Sequence, residues 1–188
     1  MTTAPMRRDA ARNRQRIVDV GRRLVDDGVP LQLNDVARLA KVGVATVYRH
    51  FPNPEALMET VATPGLEALV AHAEQALAQD DPWQALVDFL DATLEVQLTD
   101  PSITVVRSAP DHVLPRTTEL ADQMDSLVGR LLERVHAAGI VRSVVTWEDL
   151  RPLMCGIATA AQIHADDQKA RLESGSRYLS IMLQGMRA

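Results

Sequence analysis

The sequence predicts an all-α protein, and three observations carry that prediction. Apolar residues recur at helical spacing almost throughout, and no convincing run alternates with a period of two. Three times a capping side chain is followed directly by proline, at Asn53-Pro54, Asp81-Pro82 and Asp100-Pro101, the order expected of an N-cap and the first helical residue. Finally, two short periodic segments, 33–40 and 44–51, are separated only by Lys41-Val42-Gly43, the spacing of a helix-turn-helix pair.

Each element has its own signal. Residues 10–27 align Ile17, Val20, Leu24 and Val25 on one face, and residues 33–40 do the same with Leu33, Val36, Ala37 and Ala40. A helix is predicted from Pro54, with a break or kink at Thr63-Pro64-Gly65. Residues 81–99 carry a stripe of Trp83, Leu86, Val87, Leu90, Leu94 and Leu98, and Pro101 opens a short segment ending near Pro110. Residues 116–138 give the clearest stripe, from Leu120 to Val135, stopped by Gly139. Thr146 and Asp149 resemble a capping box for a helix carrying Leu150, Leu153, Met154, Ile157 and Ala161, its start bent by Pro152. After the polar stretch "HADDQKARLESG", a last helix over roughly 173–187 carries Tyr178, Leu179, Met182, Leu183 and Met186.

A chain of 188 residues, 46% hydrophobic and 24% charged, is long enough to bury a sizeable core. It shows no secretory signal and no apolar stretch of membrane-spanning length, and it has one cysteine, Cys155, so a cytoplasmic location is expected. The net charge of −5 conceals an asymmetry. Residues 1–60 hold ten basic against seven acidic residues, with Arg7, Arg8, Arg12, Arg14 and Arg16 clustered, while the remainder is strongly acidic. A basic end on an acidic body suggests that one end meets a polyanion.

The stretch "VATVYRHF" (44–51) concentrates two of the chain's six aromatic residues around an Arg-His pair. In a helix, Val47 and Phe51 fall on one face and anchor it to Val36, Ala40 and Ile17. Val44, Ala45, Thr46, Tyr48, Arg49 and His50 are left for the other faces. Val44 and Ala45 suit thymine methyls, the Thr46 hydroxyl a base or phosphate, Tyr48 and His50 backbone phosphates, and Arg49 a phosphate or a guanine edge.

Together with its flanks, "NDVARLAKVGVATVYRHFPNPEAL" (34–57) resembles the N-terminal signature of the tetracycline-repressor (TetR) family of bacterial transcriptional regulators, over about Arg12 to Leu57. More weakly, "DPWQALVDFL", "AAGIVRSVVTWEDL" and "RYLSIMLQGMRA" resemble the C-terminal domain of its SbtR-like members. The resemblance implies a three-helix DNA-binding domain (1–58) on a larger helical ligand-binding and dimerisation domain (59–188). It implies a homodimer paired through the last two long helices, a double-stranded DNA operator of pseudo-palindromic sequence, and release by a small molecule. It places Val44, Ala45, Thr46, Tyr48, Arg49 and His50 at the DNA, with Gln32 to Asn34 against a phosphate. Three positions depart from the family pattern. Lys41 stands where a left-handed glycine is usual, Gln32 replaces a Thr cap so that Asn34 is left to cap the helix, and Pro54 replaces a phosphate-binding Lys.

A ligand cavity is expected among Trp83, Phe89, Met124 and Met154, with Arg107 or His112 as a polar end. Cys155 reads as a small buried hydrophobe without a basic neighbour, and His112 or His164 as solvated rather than metal-bound. No cofactor and no enzymatic motif is indicated. The leading expectation is a ligand-released homodimeric repressor; the rival is a small-molecule-binding helical protein with weakened DNA recognition.

Overall fold

The computed structural model describes residues 4–163 and 167–188. His164 and most of the "HADD" stretch lie outside the described residues. Among those described, the chain forms α1 (Ala4–Asp26), α2 (Leu33–Ala40), α3 (Val44–His50), α4 (Pro54–Leu77), α5 (Pro82–Thr99), α6 (Pro101–Ser108), α7 (Pro115–Ala137), α8 (Trp147–Ile163) and α9 (Gln168–Met186). Their only extended pairing is an isolated bridge between Val141 and Arg187. None of these helices is long and apolar enough to cross a membrane.

Two hydrophobic cores organise the helices. Ile17 and Val20 of α1, Val36 and Ala40 of α2, Val47 of α3 and Phe51 form the first, with Leu57 and Val61 of α4. From Ala62 onwards α4 feeds the second, where Leu66, Leu69 and Ala73 meet Phe89 and Leu90 of α5, Met124 and Val128 of α7, and Leu150 and Met154 of α8. Helix α4 thus belongs to both cores, and the division expected at residues 58–59 falls within it.

The capping residues act as their chemistry dictates. Asn53 Oδ1 accepts the Ala56 N–H at 2.8 Å, Asp81 accepts those of Trp83 and Gln84 at 2.9 and 3.0 Å, and Asp100 accepts that of Ser102 at 3.0 Å. Gly139 takes φ 67° after α7, a conformation that favours glycine. At α8 only half of a capping box forms. The Asp149 carboxylate accepts both the Thr146 N–H and its hydroxyl, so that hydroxyl donates to the carboxylate instead of accepting a helix amide.

Two expected boundaries are corrected. Helix α4 runs unbroken through Thr63-Pro64-Gly65. Pro64 deprives the Thr60 carbonyl of its usual donor, but it lies on the exposed side, and the Thr60 and Thr63 hydroxyls bond back to the Ala56 and Glu59 carbonyls at 2.8 and 2.9 Å. Gly65 is a packing residue: a Cβ there would stand 2.7 Å from Ile103 Cδ1, so its absence lets α6 approach α4. Helix α9 begins at Gln168, because Asp167 caps it by accepting the Ala170 N–H at 2.8 Å.

Candidate nucleic-acid interface and ligand cavity

The first core fixes α3 from behind. Val47 and Phe51 are 0% and 2% exposed, whereas Val44 and Tyr48 are 48% and 47% exposed. Ala45 and Arg49 are also exposed, and Thr46 and His50 are half-buried. The structure therefore brings all six candidate contact residues onto one short helix with its apolar anchor turned inward. The turn before it is built by Lys41, which adopts φ 54° and ψ 45°, while its N–H and that of Val42 return to the end of α2. The left-handed position noted in the sequence is real, and a lysine fills it.

At the other end of α2, Gln32 is exposed and makes no capping bond, and Asn34, also exposed, does not take over the cap. The amides of the first turn are thus open to an external acceptor. Asp35 opposes an anion there but is paired with Arg38 at 3.0 Å. Pro54 is the first residue of α4 and offers no charge.

Helix α1 brings basic residues to the same end of the molecule. The Arg14 guanidinium lies 5.5 Å from the Phe51 ring centre, a contact that spacing alone did not suggest. His50 packs beside Phe51, ring centres 6.4 Å apart, and its buried Nε2 has no partner. Burial, followed by the charges of Arg49 and Arg14, holds its pKa below the ordinary histidine value, so the free protein carries it neutral at pH 7.

Further along, α4, α6, α7 and α8 enclose a cavity of about 380 Å³. Of the six residues expected there, Arg107, His112 and Met124 line it. Trp83, Phe89 and Met154 are placed elsewhere. Phe89 and Met154 are buried in the second core, and Trp83 packs on its edge under the Arg187 guanidinium, 4.4 Å from the ring centre. Thr117, Arg151, Glu148 and Cys155 also line the cavity and were not singled out as wall residues. Cys155 is half-buried and lines the same cavity as Arg107 of α6, a proximity invisible along the chain.

Arg107 is held over the Trp147 ring, 5.6 Å from its centre, and the Trp147 indole N–H donates to Asp125 at 2.6 Å. Burial lowers the guanidinium's pKa, Cys155 and Asp125 oppose that shift, and Arg151 reinforces it. The loop that carries His112 is pinned by Glu59 of α4, whose carboxylate accepts the Val113 and Leu114 N–H groups at 2.7 and 2.8 Å. No group of three or more His, Cys, Asp or Glu side chains is placed to hold a metal among the described residues.

A buried-back, exposed-front helix after a tight turn, set on a larger helical body with its own cavity, defines a helix-turn-helix regulator. Comparison with known proteins refines that class. Residues 81–188 match the family described as transcriptional regulator SbtR-like, C-terminal domain. The chain belongs to the TetR family of transcriptional regulators. An HTH-type transcriptional regulator of Staphylococcus aureus (strain USA300) is 36% identical over 72 residues, covering 37% of this chain and 39% of that protein, so well under half of the relative is matched. Two crystal structures are each 27% identical to this chain. A TetR transcription regulatory protein from Mycobacterium vanbaalenii has a TM-score of 0.51 over 98% of this chain and 100% of that one. A TetR regulator from Streptomyces coelicolor scores 0.55 over 93% and 98%. The FadR regulator of Bacillus subtilis, solved with stearoyl-CoA, shares the fold at a TM-score of 0.65 and 13% identity over 92% and 98%.

Proposed function

We propose that the protein is a homodimeric repressor that reads a pseudo-palindromic operator through α3 and is released by a small molecule bound in its C-terminal domain. The observation that carries the reading is the contrast along α3 between buried Val47 and Phe51 and exposed Val44 and Tyr48. Val44 to Thr46 meet base edges, while Tyr48, Arg49, His50 and the α2 start at Gln32–Asn34 hold phosphates. The family relationship supports this assignment of partner.

The homodimer is supported by the outer faces of the last two long helices. Leu153 and Ile163 of α8 and Ile181 of α9 are 50%, 66% and 63% exposed, beside the open glycines Gly156 and Gly185. Pairing these faces across a twofold axis buries them and sets two reading heads about 34–36 Å apart, one turn of DNA. The ligand-release part is supported by the cavity and by the fold, which is shared with the FadR regulator solved with stearoyl-CoA.

Fluorescence anisotropy with duplexes from upstream of the protein's own gene and its neighbours, beside a scrambled duplex, tests the DNA reading at two salt concentrations. Selective binding that weakens steeply with salt is expected. Equal binding to scrambled DNA favours the second reading, a small-molecule-binding protein with weakened DNA recognition. That reading draws on the strained Lys41 turn, the uncapped α2 and the uncharged Pro54.

A further inference from the structure

Three polar atoms around the cavity are buried without a hydrogen-bond partner: Arg107 Nε, His112 Nδ1 and Thr117 Oγ1. They come from α6, from the loop after it and from the first turn of α7, so no single turn of backbone accounts for their convergence. Thr117 is 1% exposed. Arg107 is half-buried with its Nε enclosed, and it remains a cation because its guanidinium does not give up a proton in proteins. It has no carboxylate at salt-bridge distance among the described residues. Asp125 favours its charge from further off, but one Asp125 oxygen is already taken by the Trp147 indole. A cation partly desolvated in this way, with its Nε unpaired, is costly, and an anion supplied from outside reduces the cost.

We propose that this cavity takes a compact monocarboxylic acid, its carboxylate on Arg107 and the Thr117 hydroxyl and its apolar body along Leu66, Leu120 and Met124. This names the ligand class for the ligand-responsive domain proposed above and rests on that reading. The guanidinium fork matches two carboxylate oxygens, and the hydroxyl of Thr117 supplies a further donor. The cavity's acidic groups, Asp125 and Glu148, are exposed and solvated, so they do not select a cation. A volume of about 380 Å³ is at the small end of ligand pockets, which favours a short fatty or aromatic acid over an acyl-CoA.

The test uses the full chain and four acids, butyrate, hexanoate, octanoate and benzoate, each beside its primary amide, with inorganic phosphate as a further anion. Thermal shift and calorimetry are read on the wild type, Arg107→Met and Thr117→Val. At least one acid should raise the wild-type Tm while its amide does not, and binding should weaken about tenfold or more in Arg107→Met. Amides or phosphate binding as tightly as the acids would overturn the carboxylate assignment and leave a ligand cavity in place. Failure of every acid would overturn the proposal itself. A ligand-free arm guards against a merely structural Arg107. If its charge awaits an anion, Arg107→Met melts at or above the wild type; if it chiefly props Trp147, the variant melts well below, and the proposal is lost. Operator release is scored separately, so an acid that binds without loosening DNA supports this inference and defeats the release mechanism.

Discussion

The Arg22 guanidinium of α1 meets the Asp100 carboxylate at 2.6 Å, joining the helix that backs the helix-turn-helix unit to the capping residue of α6. Arg22 also donates to the Val61 carbonyl, at the point on α4 where the two cores adjoin. One side chain thus ties α1, α4 and α6 together. Because Arg107 lies on α6, the same helix carries a cation of the cavity at one end and this tie at the other.

Both partners of that pair are shielded, at 30% and 17% side-chain exposure, so it should exceed an ordinary surface ion pair. Arg22→Met is expected to cost about 1.5–3 kcal/mol, and a double-mutant cycle with Asp100→Asn should show a coupling of about 1–2 kcal/mol. Urea denaturation measures both. Independent, additive effects would show that the two groups merely lie close together.

At Lys41 the prediction has the opposite sign. A lysine at φ 54° carries strain that glycine does not, so Lys41→Gly should stabilise the protein by roughly 0.5–1 kcal/mol despite glycine's greater freedom when unfolded. The observable is a higher urea midpoint with an unchanged m-value. A midpoint that falls would mean that the lysine side chain contributes something the backbone angle does not reveal.

Glu59 is 4% exposed and spends both carboxylate oxygens on the amides of Val113 and Leu114. Glu59→Gln turns an NH₂ group towards one of those amides, and a loss of about 2 kcal/mol is expected. Hydrogen exchange should show faster opening of residues 110–116 before any other change. Protection equal to the wild type would rule out the clamp.

His50 should link DNA binding to pH. Its pKa in the free protein is depressed by burial and by Arg49 and Arg14, and a neighbouring phosphate would raise it. Binding then takes up a proton, so affinity should rise as pH falls from the bound pKa towards the free one and level off below it. Folding runs the other way: the unfolded chain protonates first, so stability is complete above the unfolded pKa and declines as pH falls to the folded one. Anisotropy titrations of wild type and His50→Gln between pH 8 and about 5.5 separate the trends. A pH slope surviving in the variant would assign the proton elsewhere.

On α3 itself, Tyr48→Ala should weaken binding on every duplex, by about 1–2 kcal/mol for a lost phosphate contact, while Thr46→Ala should also change base preference. Unchanged operator affinity in both would remove α3 from the interface.

The periodic stripes and the Asn53, Asp81 and Asp100 caps made the helices legible, because these signals are local: a few residues carry both the cause and its effect. The inward set of α3, Val47 and Phe51, was equally visible, since helical spacing alone places them together. The misreadings arose where a partner arrives from far along the chain. Thr63-Pro64-Gly65 looks like a break until Ile103, 38 residues away, shows that the glycine makes room for α6. Trp83, Phe89 and Met154 have the composition of a ligand wall, but the same residue types fill a core. Thr117 carries no local mark of a binding residue; its orphaned hydroxyl becomes evident only when α6 and α7 are packed.

The sharing of α4 between the two cores has a mechanical consequence. At 1.5 Å per residue its 24 residues span about 36 Å, so a tilt of about 5° at the cavity end sweeps the other end through about 3 Å. That stroke is close to the roughly 3.4 Å rise of one base step. Two such arms swinging symmetrically would put a pair of reading heads out of phase with the groove while each head kept its shape.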